Sequence, residues 1–226
     1  RGFEVKFVRN ITDIDDKIIN RAKELGCDWR ELVEKYILKY RQDLSAMDIE
    51  TADCEPRATE SENISELVSC ITRLIDKGYA YTTDTGVYFS VRKFKDYGRL
   101  SGSSIDQMLS GVRKDTDETK SDPLDFALWK KPLPQEPSWP SPWGDGRPGW
   151  HIECSVMSAK CLGVETLDIH AGGRDLVFPH HENEIAQSEA LTGKPFAKYW
   201  IHHGLLTING QKMSKTLGNF VTIKNF

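Results

Sequence analysis

Six histidines, at positions 151, 170, 180, 181, 202 and 203, all lie in the last third of the 226-residue chain. Histidine is the common side chain for metal ligation and for proton transfer near neutral pH, so chemistry is expected in that third. His180 and Glu184 are four positions apart in a stretch with helical spacing, which places both side chains on one face. Cys154 stands 26 positions upstream, within Gly149-Trp150-His151-Ile152-Glu153-Cys154. A thiolate, an imidazole and a carboxylate together suit Zn²⁺, whereas Mg²⁺ and Ca²⁺ prefer oxygen ligands. His181 and Glu182 are adjacent alternatives within the same group. The plain reading is a buried structural cysteine beside a solvated helix face. The metalloprotease spacing His-Glu-x-x-His is absent, because Ile185 stands where the second histidine would be needed.

Two further groups carry charge or close-approach chemistry. Lys212-Met213-Ser214-Lys215-Thr216 sets two lysines three apart beside glycines. Such a loop can close over a polyphosphate and neutralise charge that develops in an in-line attack. Ala171-Gly172-Gly173-Arg174-Asp175 follows a strand-like segment. Its glycines let backbone approach a ligand, and its acid can accept from a ribose hydroxyl. A solvated lysine loop and an ordinary tight turn are the corresponding plain readings.

These residues need a frame. Alternation over residues 3–9 predicts a strand. Thr12 or Asp13 is expected to cap a helix over Lys17–Ala22, with Asp15 and Asp16 at its positive end. A second helix is expected from Trp29 to Leu44, and a third from Ile64 to Lys77, stopped by Gly78. Tyr79–Tyr81 and Gly86–Val91 read as paired strands. Residues 95–123 read as loop and 132–148 as a proline-stiffened connector. A strand over 165–170, a helix over 180–191 opened by Pro179, a strand pair over 199–208 and a Lys/Ser/Gly loop over 211–219 complete the pattern. The fold class is therefore α/β, with residues 46–145 inserted into the α/β domain.

Composition agrees with a globular chain: 38% hydrophobic, 28% charged. No apolar run is long enough for a membrane span. Five cysteines, an odd and small number, argue against a disulfide-stapled secreted fold and for a reduced, cytoplasmic setting. The net charge is −4, yet residues 191–226 hold five lysines and no acid, leaving −9 on the rest. One cationic end on an acidic chain fits a local polyphosphate or nucleic-acid backbone contact rather than a coat of positive charge.

Several segments resemble the cysteinyl-tRNA synthetases: Phe7-Val8-Arg9-Asn10-Ile11-Thr12-Asp13-Ile14-Asp15-Asp16-Lys17-Ile18, residues 136–155, and Phe178-Pro179-His180-His181-Glu182-Asn183-Glu184 with the Ile-Ala-Gln-Ser that follows. Lys212–Thr216 resembles the "KMSKS" loop of class I synthetases, with Thr216 in place of the last serine. The resemblance implies a class I Rossmann-type catalytic domain. Residues 1–45 would belong to an incomplete first half, 46–145 to a connective α+β insertion, and 146–226 to the second half. It implies Zn²⁺ held by Cys154, His180 and Glu184, with a fourth ligand, a cysteine, expected upstream of residue 1. Thr12, Trp150 and His170 match positions around the cysteine substrate, and His151 is expected in packing or hydrogen bonding rather than on the metal. Gly173 and Asp175, with Lys215, would border ATP bound with Mg²⁺, and Lys212 and Lys215 would stabilise the leaving pyrophosphate. The implied activity is cysteine–tRNA ligation by a cytoplasmic monomer, with cysteine, ATP and tRNA-Cys as partners and no membrane. The alternatives are a cysteine:aminosugar ligase with the same metal and adenylation chemistry, and a non-catalytic paralogue that binds only zinc or tRNA. The segment holding ATP at the first helix and the anticodon-reading region would lie outside this chain, so the isolated chain is not expected to catalyse by itself.

Overall fold

A computed structural model describes residues 2–105, 107, 108, 119–214 and 217–223. The first helix, α1 (Asp16–Leu25), begins not at Thr12 or Asp13 but at Asp15, whose Oδ1 accepts the Ile18 N–H at 2.7 Å. Asp13 is turned elsewhere and accepts the Thr59 backbone N–H at 3.1 Å. Gly26, at φ 62°, closes α1 in the left-handed conformation. Helix α2 (Trp29–Ala46) follows and packs on it.

Residues 3–9 do not form the expected strand. Val8 makes a single parallel bridge to Cys54, and beyond the segment Ile11 makes another to Arg57. The facing segment contains Pro56, which has no N–H to continue a ladder. The same contact holds a cysteine pair that was not expected. Cys54 and Cys161 are joined by a disulfide across 107 positions, a pairing that spacing in sequence cannot reveal.

Helix α3 (Ser61–Asp76) leads into an antiparallel four-stranded sheet in the order β1-β2-β3-β4. Its strands are β1 (Ala80–Thr82), β2 (Gly86–Phe89), β3 (Phe126–Lys130) and β4 (Arg147–Pro148). β3 adds to the elements expected from sequence. Helix α4 (Trp150–Leu162) starts directly after β4. Leu67 and Ile71 of α3, Phe89 and Leu128 of the sheet, Ile152 of α4 and Ala186 of a later helix form one buried cluster. The expected insertion and the expected second half therefore share a core.

The last third is a parallel βαβ unit: β5 (Leu167–Gly173), α5 (Glu182–Thr192) and β6 (Ala197–His203), with Leu167 opposite Ala197 and Gly173 opposite His203. The strand pair expected over 199–208 is thus divided. Its first part joins β5, while β7 (Thr207–Ile208) pairs with β8 (Gln211–Lys212). Asn209 and Gly210 both take positive φ, 51° and 77°, as a two-residue hairpin turn requires. Among the described residues no helix is long and apolar enough to cross a membrane.

Candidate metal centre and nucleotide border

Cys154 sits one turn into α4, Glu184 in the first turn of α5, and His180 just before α5. Their ligand atoms lie within 4.8 Å of one another, and all three residues are buried. A tetrahedral zinc site has ligand–ligand edges on the order of 3.5 Å, so modest closure around an ion would suffice. Glu184 has no exposed surface. Its Oε1 is 2.9 Å from His180 Nε2 and its Oε2 is 3.1 Å from His170 Nε2. Neither contact has hydrogen-bond geometry, so both buried oxygens lack a hydrogen bond. An orphaned buried carboxylate is costly, and a cation among these donors would remove that cost. The residues fit Zn²⁺.

Electrostatics point the same way. Burial works against ionised Glu184, but His170 and His180 outweigh it and hold the carboxyl well below its usual range. Burial, reinforced by Glu184 and Glu153, pushes the Cys154 thiol well above its ordinary value. A bound Zn²⁺ would reverse that, because a coordinated thiol is deprotonated.

The ring of His180 is fixed from two sides. His151 Nδ1 is 2.7 Å from His180 Nδ1, which leaves His180 Nε2 facing Glu184. For Nε2 to ligate, Nδ1 of His180 must carry the proton and donate it to His151. Burial lowers His151 to about 3, so it stays neutral and able to accept. Trp150 lies over His180 with ring centroids 4.0 Å apart and is 46% exposed. It is a wall and not core. With Thr12 it lines a cleft of about 1280 Å³. Asn10 acts on the Cys154 side chain, opposing the rise of its thiol, and donates to Thr12 Oγ1 at 3.4 Å, linking candidate ligand and cleft.

Of the group expected to border a nucleotide, Gly173, Asp175 and Lys212 come together. Lys212 Nζ is 3.5 Å from Asp175 Oδ2, and a Cβ on Gly173 would come within 2.5 Å of Asp175 Oδ1. Gly173 therefore lets the Asp175 carboxylate fold against the end of β5. Lys215 and Thr216 lie outside the described residues. The ends of their loop are tied by Asn219, whose Oδ1 accepts from Ser214 N–H at 2.9 Å and whose Nδ2 donates to Lys212 O at 3.2 Å. An asparagine a few positions beyond a Lys/Ser stretch is a local signal that could have been read as such a clamp.

Glu182, an alternative member of the metal group on sequence, is turned away from it. Fully buried, it accepts the backbone N–H groups of Gly98 and Ser101, each at 2.9 Å. The first turn of α5 thus alternates between the metal group and the insertion.

Residues 1–226 match the family model described as tRNA synthetases class I (C) catalytic domain. The chain is 61% identical over 229 residues to a cysteine–tRNA ligase of Thermodesulfovibrio yellowstonii, covering all of this chain and 46% of that protein. It is 58% identical over 223 residues to a cysteine–tRNA ligase of Aquifex aeolicus, covering 99% and 44%. It spans a little under half the length of these relatives. Among solved structures it is similar to the Mycobacterium tuberculosis methionyl-tRNA synthetase in complex with methionyl-adenylate, at a TM-score of 0.69 and 15% identity, over 98% of this chain and 53% of that one. That likeness shows the fold alone. With the whole length matched, the chain belongs to the class I (C) tRNA synthetase catalytic-domain family.

Proposed function

We propose that the protein carrying this chain is a cysteine–tRNA ligase. It joins cysteine to ATP as cysteinyl-adenylate, releases pyrophosphate, and passes the cysteinyl group to the terminal ribose of tRNA-Cys. The observation that carries this reading is the convergence of Cys154, His180 and Glu184 beside the open face of Trp150. The names of the relatives support it as well.

Cys154, His180 and Glu184 would hold Zn²⁺ together with a fourth protein ligand from outside this chain. The ion would favour a thiolate substrate strongly over a hydroxyl. Trp150 walls a pocket for a small side chain, Thr12 borders the same cleft, and His170 orients the bound amino acid. The carboxylate of the amino acid is already a nucleophile, so the first step needs no general base. Positioning and charge stabilisation supply the rate. Gly173 admits ATP, bound with Mg²⁺, to the backbone, and Asp175 accepts from its ribose. Asp175 also keeps the Lys212 ammonium at the nucleotide, from where Lys212 and Lys215 stabilise the departing pyrophosphate. In the same reading residues 1–45 and 146–226 belong to the two Rossmann halves, residues 46–145 are the connective insertion, and the ligase works as a cytoplasmic monomer.

The test uses the full-length protein with cysteine, ATP and either tRNA-Cys or an aminosugar as acceptor. Cysteine-dependent pyrophosphate exchange and charging of tRNA-Cys are expected, with serine inactive. Transfer to the aminosugar alone would make it the aminosugar ligase. Zinc or tRNA binding without exchange would make it a non-catalytic paralogue.

A further inference from the structure

The Glu184 carboxylate faces two groups of donors and not one. Its Oε1 faces His180 and its Oε2 faces His170, and the carboxylate is shared between two groups of donors, one with Cys154 and His180 and one with His170 and His181. The ligand atoms of His170, His181 and Glu184 also lie within 4.8 Å of one another. Their arrangement has the parts of a built site. His181 Nδ1 is 2.8 Å from His202 Nε2, which fixes the ring and leaves Nε2 as its remaining donor atom. His170 and Gly172 share one face of β5, being two apart on a strand. A Cβ at Gly172 would approach His181 Cε1 and Nε2 to 2.8 and 3.0 Å. The glycine thus makes room for the His181 ring beside His170, and the two ring centroids are 4.7 Å apart. Glu184 and His181 are buried, while the His170 side chain keeps 16% exposure, so the group is reachable from outside. Both Glu184 oxygens lack hydrogen bonds, and a single ion at Cys154 and His180 need occupy only one.

We propose that His170, His181 and Glu184 form a second divalent-cation site, bridged to the first through the Glu184 carboxylate. Two imidazoles and one carboxylate with an open position are an established zinc donor set. Carboxylate-bridged ion pairs stand about 3.5–4 Å apart. The second ion binds more weakly than the first, because it shares an anion and has no thiolate. It fills at excess free zinc, and there it holds the His170 nitrogen that would otherwise orient substrate. This last consequence rests on the proposed function; the site itself does not.

Full-length protein carrying one equivalent of Zn²⁺ is titrated with Co²⁺, which binds nitrogen and oxygen donors more weakly than Zn²⁺ and so leaves the first ion in place. About one further equivalent is expected, with visible d–d absorption and no thiolate charge-transfer band. His181→Gln and, separately, His170→Gln should weaken that equivalent at least tenfold while the first Zn²⁺ is retained. No second equivalent in the unaltered protein, one that carries a thiolate band, or one that persists in His181→Gln would each overturn the site. The titration of the unaltered protein stands even if a variant fails to fold. Excess Zn²⁺ should raise KM for cysteine with little change in kcat. Binding without that rise would refute the competition with substrate. A failure of the first site would instead appear as Zn²⁺ content indifferent to Cys154→Ser.

Discussion

A carboxylate without exposed surface, 2.9 and 3.1 Å from two imidazole nitrogens and hydrogen-bonded to neither, concentrates the chemistry of this chain in Glu184. Its partner Cys154 supplies the only sulfur of the group. Cys154→Ser should lower zinc affinity on the order of 100-fold or more, since even outer contacts to such ligands are worth 10–100-fold. Elemental analysis after dialysis against a fixed zinc buffer measures it, and circular dichroism checks the fold. Unchanged metal content would remove Cys154 from the ligands. At this scale the sequence was legible where spacing is local. His180 and Glu184 are four apart on a helical pattern, and Cys154 completed a zinc-like donor set. The residues that orient them were not legible. His151 and Asn10 reach His180 and Cys154 across 29 and 144 positions, and only the folded chain brings such pairs together.

At the scale of elements, helix α1 is fastened to the sheet through Asp16. Its carboxylate pairs with Lys130 Nζ of β3 at 2.8 Å and with Arg147 of β4. Burial opposes the charge of Asp16, but Lys130 and Arg147 outweigh it and hold the carboxyl below its usual value. A group with a lower pKa folded than unfolded adds stability above its unfolded value and loses it as pH falls through the folded one. Asp16→Asn should therefore cost about 0.5–1 kcal/mol at pH 7, a small figure because the Asp16 side chain is 58% exposed and screened. The difference should shrink below about pH 4, where an unperturbed aspartate protonates. Denaturant unfolding at pH 7 and pH 3 compares the two proteins; an equal difference at both values would refute the pairing. Helices α1, α2 and α3 follow the helical spacing to within a few residues, since that periodicity is a property of the segment itself, whereas α5 begins at Glu182, three residues after the Pro179 expected to open it. Strands fared differently. Alternation marks a face but not a neighbour, so residues 3–9 found no ladder and residues 197–203 joined β5.

For the whole molecule, the shared core decides how the parts depend on one another. Leu67 and Ile71 of α3 are fully buried in the cluster that includes Ile152 of α4 and Ala186 of α5, the two helices that carry Cys154 and Glu184 of the candidate metal centre. Glu182 adds a polar tie from α5 to Gly98 and Ser101. Leu67→Ala should cost roughly 2–5 kcal/mol and should move the unfolding of residues 46–145 and of the βαβ unit together. Hydrogen exchange resolved along the chain measures this. Loss of protection confined to residues 46–145 would show a separately folding unit. Composition and turn residues marked this segment as different in character, yet its dependence on the last third lies in side chains far apart in sequence.

The bond between Cys54 and Cys161 turns residues 54 to 161 into a covalent ring. Cys161 is seven positions after Cys154 on α4, on the same side of the helix, so the ring is joined to the flank that presents the thiol of the candidate metal centre. Its other end lies beside Val8, close in sequence to Asn10 and Thr12. A backbone cut anywhere inside that ring would open it without releasing either piece, and the two walls of the cleft would remain one molecule.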